Sequence, residues 1–446
     1  MDYSNYLIES DAQTFSAIQQ GINSLLLDGL DVRLTPVSRN RALIRRHILD
    51  AIEIQYNIDP WAYLQTKGLR FDAVRAISDD EVLTLVSNRA NAELDAQANI
   101  VVPPVDGVQW HLANIRAPAA CALLGGPDNI TWACKVGQID TGFTRHPALG
   151  FTGGGPSAWF KASDCRNFFT PDPASTDDPG PSTGEDPCSG PFWGHGTRIG
   201  AAISGWHSSG DAGETFYGCA PKVPHTIVRI SNSVAINNQL PALAEALDYL
   251  VNEAKVNVIN LSMGTAFATF VSPAVRQEIN NAYDKGVIFI CAGGQHVKKV
   301  IAPASYGRTI AVGGITSKDL VWGKASQGPE IDWSAPSADI RRATRDKPTG
   351  PFIYKNNGDG TSYATALSTG VAAMWLTHRR DDILNAYPQA WMRVAAFKKI
   401  ARTTARLPLP PKPWGPDVGG TGILDAAAVL NAPLPTAASL TQEAPV

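Results

Sequence analysis

Asp140, His195 and Ser362 each stand beside glycine at the edge of a predicted regular element. Together they are the side chains that nucleophilic acyl transfer needs. A serine hydroxyl is too weak a nucleophile alone, an imidazole must take its proton, and a carboxylate must hold the imidazole in one tautomer. Ser362 lies in the glycine-rich stretch Gly358-Asp359-Gly360-Thr361-Ser362-Tyr363-Ala364-Thr365-Ala366. By itself a Gly-Thr-Ser turn reads as a helix cap. The other two residues change that, because they occur in the chain order Asp, His, Ser, which is one of the known orders of the serine triad.

The elements that must position these residues are legible around them. Ala364 to Leu376 is small or apolar with little interruption, which predicts a helix buried on nearly every side. Ser362 sits at its start, where unpaired N–H groups and the positive end of the helix dipole favour a developing oxyanion. Asp140 closes a predicted strand, Lys135 to Asp140, and Gly194-His195-Gly196-Thr197 opens the small apolar segment Ile199 to Ile203. Further strands are predicted at Thr226 to Ile230, Val256 to Met263, Val287 to Ala292 and Thr309 to Ile315, with helices near 240–254 and 273–285. Apolar strands alternating with helices predict a parallel sheet covered on both faces, and such sheets bind ligands at the carboxyl ends of their strands.

The chain has 446 residues, 44% hydrophobic and 18% charged, with a formal net charge of −3. That is long enough for one large domain and a smaller one. It gives no charge-based reason for nucleic acid or an anionic membrane as partner. No apolar run reaches the roughly 18 residues of a membrane span. The N-terminus lacks a basic stretch followed by an apolar core, which predicts a cytoplasmic protein or export by a route that reads no N-terminal signal. Residues 1–105 read as a separate α+β unit: strands at Tyr6–Glu9 and Asp31–Leu34, a helix from Asp11 to Leu27, a capping box at Ser78-Asp79-Asp80-Glu81 and a last extended segment from Ala92 to Val102. The basic stretch with Arg39, Arg41, Arg45, Arg46 and His47 reads as a solvated helix face. Val102-Pro103-Pro104-Val105-Asp106-Gly107 is the linker. A Gly-, Pro-, Ser- and Asp-rich loop spans 150–193, and Cys165 and Cys188 within it either pair or remain free thiols.

These motifs resemble those of the subtilisin-like serine proteases. Trp110 to Pro118 resembles the mature N-terminal segment of that family, and Ile139-Asp140-Thr141-Gly142 with His146-Pro147 its aspartate motif. Gly194-His195-Gly196-Thr197, Gly218-Cys219-Ala220-Pro221, Val258 to Gly264, Gly360 to Thr365 and Gly422 to Ala426 follow in family order, over about residues 108 to 430. The resemblance implies an α/β, three-layer subtilisin-like fold with a mostly parallel central sheet over 106–432. It also implies a ferredoxin-like α+β propeptide over 1–105 that inhibits the enzyme until cleaved between roughly Asn99 and Gly107. The tail, 433–446, is expected to be mobile.

The implied function is a serine endopeptidase made as a zymogen, monomeric, acting on peptide or protein substrates and bound by its own propeptide. Ser362 is the implied nucleophile, His195 the base and acid, and Asp140 the orienting carboxylate. Ser262, Met263 and Gly264 would pair with the substrate backbone as an added strand, and Ala292 and Gly293 would wall the first pocket. The family's oxyanion asparagine is replaced by Gly294, which leaves Gln295, a backbone N–H or water to supply the donor. No cofactor is implied. Ala148 stands where many relatives have a calcium-ligating aspartate, although Asp172, Asp177, Asp178, Glu185 and Asp186 in the long loop are oxygen ligands for such an ion or simply solvated. The alternatives are a weakly active or inactive binding scaffold, supported by the oxyanion change, and a dedicated peptide-processing or transpeptidase enzyme.

Overall fold

The computed structural model describes residues 5–9, 34–38, 41–45, 48–50, 52–53, 59–66, 69, 71–77, 109–152, 156–169, 184–188, 191–208, 215–265, 271–408 and 414–446. The chain divides into two compact units, one within Met1–Asn99 and the other formed by Ile100–Pro408 with Trp414–Val446.

In the N-terminal unit, strands β1 (Asn5–Glu9), β2 (Leu34–Ser38), β3 (Arg41–Arg45) and β4 (Ala73–Ile77) form an antiparallel sheet in the order β2-β3-β1-β4. That is the ferredoxin-like order. Helix α1 (Pro60–Thr66) contributes Tyr63 and Leu64 to a core with Ile8, Ile44 and Leu69. The stretch Arg41–Arg45, expected on a helix, is instead β3: it pairs with β1 on one side and β2 on the other. The apolar Leu43 and Ile44 between the arginines supply the pairing segment, and Ile44 is fully buried. The sheet is also completed earlier than expected, by β4 at Ala73–Ile77. The expected helices at 11–27 and 78–86, the extended segment 92–102 and the cleavage region 99–107 lie outside the described residues.

The larger unit begins with α2 (Trp110–Asn114) and α3 (Ala117–Leu123), followed by β5 (Val136–Asp140) and β6 (Arg166–Asn167). Next come α4 (His195–Ser204), the short strands β7 (Trp206–His207) and β8 (Phe216–Tyr217), β9 (His225–Arg229), α5 (Leu240–Asp248) and β10 (Val258–Leu261). Then follow α6 (Pro273–Asp284), β11 (Ile288–Ala292), β12 (Ile310–Ile315), β13 (Ile331–Pro336), and the antiparallel hairpin β14 (Ile340–Arg345) and β15 (Phe352–Gly358). Helices α7 (Thr361–His378), α8 (Arg380–Ala386), α9 (Trp391–Thr404) and α10 (Ala426–Asn431) end the chain. Seven strands form a parallel sheet in the order β13-β12-β11-β10-β5-β9-β6.

The sheet is the middle of three layers, because alternate strand residues enter different cores. Val258, Ile288 and Ile290 join the core built by α7 and α9, while Ile259, Phe289 and Cys291 join the core built by α5 and α6. Both faces are therefore covered, which is why these strands read as continuous apolar runs. Helix α7 is buried from Tyr363 to Leu376. Its small residues make that possible: a Cβ on Gly370 would lie 2.6 Å from Cys219 Cβ. The expected helix at 240–254 is α5 followed by one wide turn, Tyr249–Glu253.

One further expectation fails. The tail is tied down rather than mobile: Tyr387 Oη donates to Pro435 O (2.9 Å), Lys399 Nζ to Ser439 O (3.0 Å) and Val446 N to Asn280 Oδ1 (3.1 Å). Of the two states left open for Cys165 and Cys188, the structure has the free thiols. All six cysteines are free, and the buried Cys165 Sγ instead accepts the Ile227 N–H at 3.3 Å. No described helix is long and apolar enough to cross a membrane.

Candidate active site

Three elements bring the three residues together. β5 ends at Asp140, which is fully buried; α4 begins at His195; α7 begins one residue before Ser362. Asp140 Oδ1 accepts from His195 Nδ1 at 2.6 Å, and His195 Nε2 lies 3.2 Å from Ser362 Oγ. The carboxylate is also held by Thr141 N–H on Oδ1 (2.8 Å) and by Gln138 Nε2 on Oδ2 (3.0 Å). A buried carboxylate with three donors is held as an acceptor, so His195 carries its proton on Nδ1 and presents a bare Nε2 to the serine. The Ser362 hydroxyl has a second acceptor, Ser262 O, also at 3.2 Å.

The β5 end and the α4 start fit one another through glycine. A Cβ on Gly196 would lie 2.0 Å from Gly142 O and 3.2 Å from Asp140 Cβ, so no larger residue permits this approach. Polar bonds fasten the same junction: Thr197 Oγ1 accepts Thr144 N–H at 2.7 Å, and Thr141 Oγ1 accepts Gly196 N–H at 3.1 Å. Asp186 completes it. This buried carboxylate from the long loop accepts from Gly194 N at 2.6 Å, Cys188 N at 2.7 Å and Thr141 Oγ1 at 3.2 Å. Burial holds its carboxyl above the ordinary value, against the opposing pull of those donors. The sequence singled Asp186 out only as an acidic loop residue; its place on the Gly194 N–H, next to His195, emerges from the fold.

The expected oxyanion side has a definite geometry. Gly294 takes φ +108, and a Cβ there would lie 2.8 Å from Ser326 Oγ and 2.9 Å from Ile301. A side chain at 294 would thus be strained and would require Ser326 or Ile301 to shift. Gln295 occupies the place beside the nucleophile: its Oε1 accepts the Thr361 N–H at 3.1 Å. That bond fixes the amide and leaves its NH₂ as a donor next to the first turn of α7, where the Ser362 N–H has no intrahelical acceptor.

The expected substrate strand is partly engaged by the chain itself. Ser262 faces the nucleophile, with its Oγ 3.2 Å from Ser362 O. Met263 is buried in the α5/α6 core. Gly264 donates to Val234 O (3.1 Å) and accepts from Ile236 N (3.0 Å), so a peptide joining at Gly264 would take the place of that bridge. Ala292 is buried at the end of β11, and Gly293 is bonded to Val312 O and Ile301 N; both lie in strand-end packing in this structure.

The described acidic residues of the expected loop are bonded within the chain. Ala148 is buried with its N–H on His146 Nδ1, Glu185 pairs with Arg145 at 2.7 Å, and the Asp186 oxygens are taken by three donors. Asp172, Asp177 and Asp178 lie outside the described residues. Among the described residues no group of three acidic, His or Cys side chains is arranged to hold a metal.

A model of the subtilase family, peptidase S8, matches residues 133–427. The chain is 25% identical over 268 residues to the minor extracellular protease Epr of Bacillus subtilis (strain 168), a match covering 60% of this chain and 35% of that protein. It is 26% identical over 299 residues to the M-protease of Shouchella clausii (strain KSM-K16), covering 66% of each. It is 26% identical over 282 residues to the major intracellular serine protease of Bacillus subtilis, covering 62% and 76%. The match thus spans about a third of the first of these relatives and about two thirds of the second. In fold, the chain resembles MycP1 with its N-terminal propeptide removed (TM-score 0.54, 19% identity, 74% of this chain and 99% of that one). It also resembles a protease of Pseudoalteromonas arctica PAMC 21717 (TM-score 0.56, 19% identity, 74% and 98%).

Proposed function

The chain belongs to the subtilase family, and on that premise we propose that it is a serine endopeptidase that cleaves peptide bonds through an acyl-enzyme on Ser362. The observation that carries this reading is the unbroken line from Asp140 through His195 to Ser362, at 2.6 and 3.2 Å. In the reaction, Ser362 Oγ bonds to the scissile carbonyl carbon while His195 Nε2 takes the hydroxyl proton. Asp140 stabilises the resulting imidazolium without itself taking the proton. The tetrahedral oxyanion accepts from the Ser362 N–H and the Gln295 amide. His195 then delivers its proton to the departing amine, the C–N bond breaks, and a water repeats the sequence to release the acid.

The bond from Ser362 Oγ to Ser262 O gives substrate a part in starting the reaction. A peptide N–H that occupies the Ser262 carbonyl removes one of the hydroxyl's two acceptors and turns the proton toward His195. Residues 1–105 act in this proposal as an inhibitory propeptide, and the ferredoxin-like strand order within Met1–Asn99 supports that reading. The test is to incubate the purified protein with an unfolded protein substrate in ¹⁸O-water and weigh the products. Hydrolysis puts ¹⁸O on each new carboxyl terminus, and Ser362→Ala abolishes it. Products joined to an added amine instead would establish a transferase; no products at all, also from protein freed of residues 1–105, would overturn both readings.

A further inference from the structure

Beyond Leu261 and Cys291 the paired strands β10 and β11 diverge. Continued, their parallel register would set Ser262 opposite Ala292 and Gly264 opposite Gly294. Each segment turns instead toward the strand on its far side: Gly264 bonds to Val234 O and Ile236 N, which follow β9, and Gly294 O accepts the Ser326 N–H (2.9 Å), which follows β12. The opening between them lies at the carboxyl ends of two parallel strands, where sheets of this kind bind ligands. It is also beside the nucleophile. On one wall Ser262 O accepts from Ser362 Oγ at 3.2 Å, and on the other Gln295 Oε1 accepts the Thr361 N–H at 3.1 Å.

One residue fills this opening. The Ile301 N–H donates to Gly293 O on one wall, and the Thr265 N–H of the other wall donates to Ala302 O, both at 3.0 Å, so the chain at Ile301–Ala302 spans the floor. The isoleucine side chain lies between the walls: a Cβ placed on Gly264 would be 2.3 Å from Ile301 Cδ1, and one placed on Gly294 would be 2.9 Å from Ile301 Cγ2. A single side chain therefore touches both glycines. Ile301 is only half-buried and belongs to neither of the cores that flank the sheet. Its packing is against the cleft walls, not in the interior.

We infer that Ile301 closes the pocket for the side chain of the residue whose carbonyl is attacked, and that the enzyme cuts after Gly, Ala or Ser and rejects larger residues there. The inference rests on the proposed protease reading. On that reading the substrate backbone runs along Ser262–Gly264 and its oxyanion points to Gln295, which directs the side chain next to the scissile bond into the opening between these two segments. An empty opening would accept a long apolar side chain. With Ile301 in it, a long side chain has to displace a β-branched residue that is stiff at χ1 and held between two backbones.

The experiment uses the full-length chain and the folded protein freed of residues 1–105. Each is treated with three peptide phosphonates that carry Ala, Leu or Phe next to the reacting phosphorus and are otherwise identical. A fluorophosphonate without such a side chain reports the reactivity of Ser362 itself, and every rate is divided by it. The Ala probe is expected to react at least roughly 100-fold faster than the Phe probe, since even one methylene is worth about 10- to 200-fold in a hydrophobic pocket. Ile301→Ala is expected to lower that ratio by about tenfold or more, and Ile301→Val to lower it less. Because each ratio is taken within one protein, partial misfolding of a variant does not mimic the change. Fluorophosphonate reaction without a preference for Ala, or a preference that Ile301→Ala leaves intact, overturns the inference and leaves the protease reading standing. No fluorophosphonate reaction in either form of the wild type overturns the reading itself.

Discussion

At the scale of single residues, the site is decided by Gly294 and Gln295. A side chain at 294 would press on Ser326 and Ile301 on a backbone already at positive φ, which is why the proposed mechanism takes its amide donor from Gln295. Gln295 reaches back to the Thr361 N–H at 3.1 Å and presents its NH₂ beside the nucleophile. Removing such a donor from a subtilisin lowers turnover about 100- to 1,000-fold. Gln295→Ala is expected to show a loss of that order in kcat with KM little changed, and an unchanged kcat would remove Gln295 from the mechanism. Gly294→Asn is expected to destabilise the fold rather than restore the donor, seen as a lower Tm and no gain in activity in the Gln295→Ala background.

At the scale of elements, the junction between β5 and α4 sets where His195 stands, and Asp186 locks it from the long loop. Asp186→Asn replaces one carboxylate oxygen by an NH₂ donor, which leaves either the Gly194 or the Cys188 N–H without its acceptor at a cost of about 1–3 kcal/mol. Its expected signature is a fall in kcat/KM in fully folded protein, because the imidazole is no longer held against Asp140. A lower Tm with an unchanged kcat/KM below it would assign Asp186 to stability alone. The triad and the five apolar strands around it were legible because each belongs to a short local pattern: a glycine-flanked polar residue or an unbroken apolar run. β13 was not, since Asp332 interrupts it. That carboxylate is tolerated inside the sheet only because the Ala311 N–H (3.0 Å), Lys398 (3.5 Å) and Arg402 (3.3 Å) converge on it from distant segments. The hairpin β14–β15 was missed for a like reason: its arginines are buried against aromatic rings such as Tyr354 and Phe352 rather than solvated. The free state of Cys165 was equally hidden, because its partner is a backbone N–H from β9.

At the scale of the whole molecule, the larger unit is organised around α7, and three buried histidines make its stability sensitive to acid. Burial lowers His111 to about 3, His146 to about 4 and His225 to about 3. The unfolded chain takes up these protons near the ordinary value of about 6.5, whereas the folded chain resists them. Stability is therefore full above about pH 6.5 and declines as pH falls toward 4, by up to about 4 kcal/mol per pH unit when all three contribute. Asp186, raised by burial, pulls the other way, but it is one group against three. Urea unfolding at pH 7.5 and pH 5 is expected to show the midpoint falling steeply, and equal midpoints would contradict the neutral state of these imidazoles. The central claim remains that α7 delivers a reactive serine to His195, and it is tested most directly by locating the site of fluorophosphonate attachment in the intact protein by peptide mass spectrometry. The account predicts a single adduct on the peptide carrying Ser362, absent in Ser362→Ala and strongly slowed in Asp140→Asn. An unmodified Ser362 in folded protein freed of residues 1–105, or an adduct that survives Ser362→Ala, would contradict it.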